Sequence, residues 1–165
     1  MLAVRRKCIR ITKTICLSLN NYQGTTLLDT YSYLYDNANN QTSKTETVNV
    51  VSTGTTSFTY DSLNRLETIT EPSGKKTAYT FDQSGNRLSE KTTQGAAITL
   101  ISYGVNEQNR LYATAEVKST GEMQQVNFYY DNNGNLINKT TESRKKIDPA
   151  NPPTPTFGLF IYGRY

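Results

Sequence analysis

One short phrase returns five times along this 165-residue chain: an aromatic, any residue, a second aromatic, Asp or Asn, two variable residues, then Gly or Asn. The copies are Tyr33-x-Tyr35-Asp36-x-x-Asn39, Phe58-x-Tyr60-Asp61-x-x-Asn64, Tyr79-x-Phe81-Asp82-x-x-Gly85, Tyr103-x-Val105-Asn106-x-x-Asn109 and Phe128-x-Tyr130-Asp131-x-x-Gly134. The Asp or Asn positions lie 25, 21, 24 and 25 residues apart. A period of that length means one small supersecondary unit used many times over.

The chemistry of the phrase says what the unit is. Residues two apart on a strand share a face, so each copy puts a pair of large side chains on one side of a sheet. Val105 is the one non-aromatic residue in these slots. The following Asp or Asn accepts a hydrogen bond from backbone two residues on and starts a turn. Three residues later the slot holds only Asn39, Asn64, Gly85, Asn109 and Gly134. Gly and Asn are the residues that enter the left-handed region most readily. A type I turn closed by a left-handed residue is a common hairpin connection. Return strands follow, as in Leu66-Glu67-Thr68-Ile69-Thr70 and Leu88-Ser89-Glu90-Lys91-Thr92.

A second set of turn residues joins the units: Pro72-Ser73-Gly74, Gln94-Gly95 and Thr120-Gly121. The expected fold is therefore all-β, with tandem β-hairpin repeats forming a curved antiparallel sheet. The expected organisation is an irregular basic segment over 1–23, five hairpin repeats over 24–144, a Pro-rich connector over 145–156 and the start of a sixth phrase over 157–165. In that last stretch Phe160-x-Tyr162-Gly163 opens the phrase without its Asp. A sheet with open ends presents unpaired backbone, so the chain is expected to associate through its edges.

Composition fits this reading. Tyr occurs 12 times, and Trp and His are absent. Thr and Tyr favour strands, and Asn and Gly favour turns. The net charge of +4 is concentrated at one end, because Arg5, Arg6, Lys7, Arg10 and Lys13 are basic. Removing those five from 18 basic residues leaves 13 against 14 acidic ones, so the repeats are close to neutral. A nucleic-acid partner would call for a basic face through the folded body, and none is expected. The N-terminal apolar run is interrupted by Lys13, so neither a signal peptide nor a membrane span is read there, and the segment is read as an imperfect first strand or an arbitrary start within a longer frame. Cys8 and Cys16 lie outside the repeats. Two readings stay open for them, a small disulfide or two free thiols.

At these residues the chain resembles the YD-repeat, or Rhs-repeat, family. The closest copies are Phe58-Thr59-Tyr60-Asp61-Ser62-Leu63-Asn64-Arg65-Leu66, Tyr79-Thr80-Phe81-Asp82-Gln83-Ser84-Gly85-Asn86-Arg87-Leu88 and Tyr129-Tyr130-Asp131-Asn132-Asn133-Gly134-Asn135-Leu136. The likeness runs from about residue 31 to residue 141. Such repeats occur in bacterial Rhs proteins, wall-associated proteins of Gram-positive bacteria, the C component of insecticidal toxin complexes, and animal teneurins. The resemblance implies a β-ribbon spiralling into a shell that, in bacterial members, encloses a toxin. It also implies a secreted or cell-surface location and flanking repeats as partners. The core-closing segment with paired Asp-Pro motifs has no match, since Asp148-Pro149 stands alone.

No catalytic, cofactor-binding or metal-binding residue is assigned. Without His, the Ser-His-Asp and Cys-His arrangements and His-containing zinc sites are excluded. Asp36, Asp61, Asp82 and Asp131 each already have a turn to make. The Tyr rows suggest sugar binding through ring faces, or packing among the strands. The reading is a non-enzymatic structural segment of a surface or toxin-enclosing protein. The alternatives are a carbohydrate-binding module and a truncated gene remnant. Asn40-Gln41-Thr42 and Asn138-Lys139-Thr140 match the glycosylation acceptor triplet.

Overall fold

The computed structural model describes residues 4–10, 15–49 and 51–145. The Pro-rich stretch and the sixth phrase lie outside them. Every regular element among the described residues is a strand. In chain order these are β1 (Val4–Arg10), β2 (Cys16–Gln23), β3 (Thr26–Tyr35), β4 (Gln41–Val48), β5 (Val51–Tyr60), β6 (Leu66–Thr70), β7 (Lys76–Phe81), β8 (Arg87–Gln94), β9 (Ala97–Val105), β10 (Leu111–Lys118), β11 (Glu122–Tyr130) and β12 (Leu136–Lys145). The expectation of an all-β chain of tandem antiparallel hairpins holds. The chain divides into two compact units after Lys76. In each unit strand order follows chain order, β1 to β6 in the first and β7 to β12 in the second.

The alternation that predicts the strands is visible in β5. Thr56, Phe58 and Tyr60 are half-buried, while Thr55, Ser57 and Thr59 between them are exposed. On the exposed face hydroxyls pair across strands: Thr45 with Thr55 at 2.7 Å, Thr59 with Thr68 at 2.8 Å, and Thr80 with Ser89 at 2.7 Å. Such cross-strand pairs stabilise a sheet by a few tenths to about 1 kcal/mol each, which explains why Thr suits this fold.

The aromatic face is covered but not sealed. Tyr33, Tyr35, Phe58, Tyr60, Tyr79, Phe81, Tyr103, Phe128 and Tyr130 are all half-buried. Among the described residues Ala113 is the one buried hydrophobic residue, and no large side chain is fully buried. The expectation that each phrase buries its pair is met only partly. The physical reason is that each unit is a single sheet, so a ring loses water only to its neighbours within that sheet.

The N-terminal segment differs more. Sequence suggests an irregular stretch over 1–23 with at most an imperfect first strand, and two strands, β1 and β2, pair antiparallel there with Arg10 opposite Cys16. The register slips between Ile9 and Arg10. The same slip occurs between Leu34 and Tyr35, Thr59 and Tyr60, and Tyr129 and Tyr130. In these three it is the bulge that a type I turn followed by a left-handed residue leaves in the strand. Tyr35 then faces Gln41, Tyr60 faces Leu66, and Tyr130 faces Leu136. Arg10 thus holds the second aromatic slot of a further hairpin, and Cys8 holds the first. No aromatic marks this hairpin, so the phrase does not find it. Cys8 and Cys16 form a disulfide with their Cα atoms 6.0 Å apart, which decides between the two readings of the cysteines.

Candidate functional site

The residues singled out by the repeat converge on the turns, where one hydrogen-bond pattern recurs. In the second copy the Asp61 amide donates to the Arg65 carbonyl at 2.9 Å, and the Asn64 amide donates to the Asp61 carbonyl at 3.0 Å. Asp61 Oδ1 accepts the Leu63 and Arg65 amides, both at 2.9 Å. Its Oδ2 accepts Arg65 Nε at 2.6 Å, as an ion pair. Asp36 repeats this with Ala38 and Asn40, and Asp131 with Asn133 and Asn135, the Asn side chain replacing Arg65. Asp82 accepts the amide and side chain of Asn86 at 2.8 and 2.9 Å. Asn106 has no charge, but its Oδ1 still accepts the Gln108 and Arg110 amides at 3.1 and 2.9 Å.

The residue closing each turn has positive φ in all five copies: 65° at Asn39, 59° at Asn64, 89° at Gly85, 57° at Asn109 and 88° at Gly134. The connecting turn Glu71-Pro72-Ser73-Gly74-Lys75 has the same backbone pattern, with Gly74 at φ 80°. Pro72 supplies the φ that the first central position of a type I turn needs. Lys75 Nζ reaches Glu71 Oε1 at 3.0 Å. The turn at Lys118 reverses the charges: Lys118 Nζ meets Glu122 Oε2 at 3.1 Å around Gly121 at φ 83°. The sequence hides this likeness, because Glu or Lys stands where the phrase has Asp.

The second aromatic slot has a task beyond apolar cover. The Tyr60 hydroxyl donates to the Gln41 carbonyl at 2.9 Å, Tyr35 to Cys16 at 3.0 Å, and Tyr130 to Leu111 at 2.8 Å. Each bond reaches back 19 residues, to the first residue of the return strand after the previous turn. The signal in the sequence is Tyr, rather than any aromatic, directly before the acid. Phe81 and Val105 have no hydroxyl and cannot make it.

The electrostatics of the turns are those of structural carboxylates. The Asn40 side chain holds the Asp36 carboxyl below its ordinary range, and the Arg65 amide does so most for Asp61. The side chains of Asn86 and Asn135 act likewise on Asp82 and Asp131. A general acid needs its proton held near neutral pH, the opposite shift. Desolvation pushes the Tyr60 hydroxyl up, and the charge of Asp36 adds to it. No group of three or more His, Cys, Asp or Glu side chains placed to hold a metal occurs among the described residues.

Several ring faces are already occupied. The Arg87 guanidinium lies 4.4 Å over Tyr79 and 5.9 Å from Tyr103, and it pairs with Glu90 at 3.1 Å. Lys44 sits 4.8 Å over Tyr31, and Lys139 sits 5.8 Å over Phe128. Cations on these faces leave less room for a stacked sugar. One open groove of about 510 Å³ runs between the fourth and fifth turns, where Tyr112, Tyr129 and Arg110 line it. Tyr129 is 47% exposed there.

Comparison with known proteins finds the same repeat. Residues 60–97 match the RHS Repeat family. No curated protein matches. Among solved structures, a crystal structure of TcdB2-TccC3-Cdc42 is similar at a TM-score of 0.37 and 13% identity, over 87% of this chain. The chain spans 10% of the length of that protein. No helix among the described residues is long and apolar enough to cross a membrane.

Proposed function

We propose that this chain, which belongs to the YD/Rhs-repeat family, works as architecture, one stretch of hairpins in the wall of a larger surface or toxin-enclosing assembly. The observation that carries the reading is that the most recognisable residues are consumed in making the fold. Each Asp bonds its own turn, each second-slot Tyr ties its hairpin to the previous one, and cations cover several rings. The partners are flanking repeats of the same kind and a passenger held behind the wall. The disulfide between Cys8 and Cys16 suits an oxidising compartment, which supports a secreted or surface location.

A second reading rests on the groove beside Tyr129, whose exposed ring and neighbouring Arg110 suit a carbohydrate. Replacement of Tyr129 and Tyr130 by Ala separates the two. On the architectural reading Tyr130→Ala lowers the melting temperature clearly, Tyr129→Ala barely moves it, and a glycan array stays blank. A glycan that binds the parent protein and is lost in Tyr129→Ala, with melting unchanged, overturns the architectural reading in favour of a binding module.

A further inference from the structure

We propose that neighbouring turns recognise one another by a side-chain match, Asn with Asn or Arg with Gly, and that Asn135 presents the Asn half of this match to a further hairpin with Asn at its left-handed position. The match joins the residue that ends one turn to the left-handed residue of the next. Asn40 Nδ2 donates to Asn64 Oδ1 at 2.8 Å, and Asn86 Nδ2 donates to Asn109 Oδ1 at 2.9 Å. In both cases the same amide nitrogen also holds the carboxylate of its own turn, Asp36 or Asp82. One amide group thus uses its two hydrogens on two successive turns. Where the turn ends in Arg110, the next left-handed residue is Gly134, and Arg110 Nη2 lies 2.8 Å from where a Cβ on Gly134 would sit. The guanidinium fills the space a side chain would need, so Arg calls for Gly. At Gly85 the space a Cβ would occupy is open, so the Arg–Gly half of the match rests on Arg110 and Gly134.

Asn135 is the copy without a following turn among the described residues. Its Nδ2 donates to Asp131 Oδ2 at 2.9 Å, as Asn40 and Asn86 do to their own carboxylates. The second amide hydrogen, which those two give to the next turn, is left for an acceptor of the same kind. A hairpin with Gly at its left-handed position offers no side-chain oxygen there, and one with Asn does. The inference deepens the architectural reading and rests on it for the identity of the partner. Its test reads coupling inside the chain and can fail while that reading stands.

The test is a double-mutant cycle read by hydrogen exchange of the Asn109 and Arg110 amides in the full chain, using Asn86→Arg, Asn109→Gly and both together. Arg is tolerated by the first turn position, since Arg65 holds Asp61 there. The double variant is expected to exchange about fivefold more slowly than the product of the single effects predicts, a coupling typical of residues in contact. Effects that multiply independently overturn the match. A second cycle, Arg110→Asn with Gly134→Asn, measures the same coupling should either first variant fail to fold. For the outward surface, a backbone-cyclised peptide of residues 57–70 is added to the full chain, and the Asn135 side-chain amide resonance is followed. A shift with this peptide that is absent with its Asn64→Gly form is expected. Equal shifts with both, or none with either, refute the assignment of Asn135.

Discussion

The first and last described hairpins share a strand register and differ in what fastens it. In both, a strand slips one residue at its end and faces its partner in the same register: Arg10 opposite Cys16, Tyr130 opposite Leu136. In the last hairpin Phe128 and Tyr130 fill the two slots, Asp131 braces the turn, and the Tyr130 hydroxyl grips the previous hairpin. In the first, Cys8 and Arg10 stand in those slots, and a disulfide to Cys16 joins the strands. The difference teaches that the strand register does not depend on the aromatic-acid phrase. That phrase is one way of holding a register, and a covalent link is another.

Three changes sharpen the contrast, and their expected effects fall in order. Replacing both cysteines by Ser removes a short closed loop, a loss of about 2–3 kcal/mol in the chain-entropy account. Exchange should quicken in β1 and β2 while β11 and β12 keep their protection. Equal loss in both regions would show that the disulfide supports more than its own hairpin. Gly134→Val should reverse the pattern, loosening the last hairpin by about 1–2 kcal/mol through left-handed strain. Urea midpoints for Gly134→Val in the parent, and for Gly134→Val and Gly134→Asn in an Arg110→Asn background that clears the guanidinium from the site, check this, because there Asn enters the left-handed region far more easily than Val and should cost much less. Tyr130→Phe keeps the ring and removes only the bond to the Leu111 carbonyl. It should cost about 1 kcal/mol, and a calorimetric melt unchanged from the parent would deny the hydroxyl its role.

How much of this the sequence discloses depends on what kind of signal each element leaves. The Asp turns and the left-handed positions are legible because few residue types satisfy them. Asn39, Asn64 and Asn109 mark their slot as clearly as Gly85 and Gly134 do. The hairpin at Cys8 is hidden because its stabilising group leaves no periodic trace. The Pro72-Ser73-Gly74 turn is legible, but its likeness to the phrase turns is hidden for a related reason: backbone geometry is shared, while an ion pair between Glu71 and Lys75 stands in for the carboxylate brace. The bonds from Tyr35, Tyr60 and Tyr130 span 19 residues, and no local pattern shows what a hydroxyl at that distance meets. The half-exposed ring row follows from the single-sheet architecture of each unit, which alternation alone does not reveal.

The central claim is that the recurring carboxylates of the phrase are turn braces, and acid tests it most directly. Each Asp is held below its ordinary range in the folded chain, so its contribution is complete above the unfolded carboxylate range, about pH 4, and is lost as pH falls through the folded value. Asn106 has no such proton to gain. Amide exchange followed downward from neutral pH should therefore show protection falling at Asn40, Arg65, Asn86 and Asn135, the amides held by Asp36, Asp61, Asp82 and Asp131. Arg110, held by Asn106 at 2.9 Å, should keep its protection longest. Loss at all five together, or first at Arg110, would contradict the account.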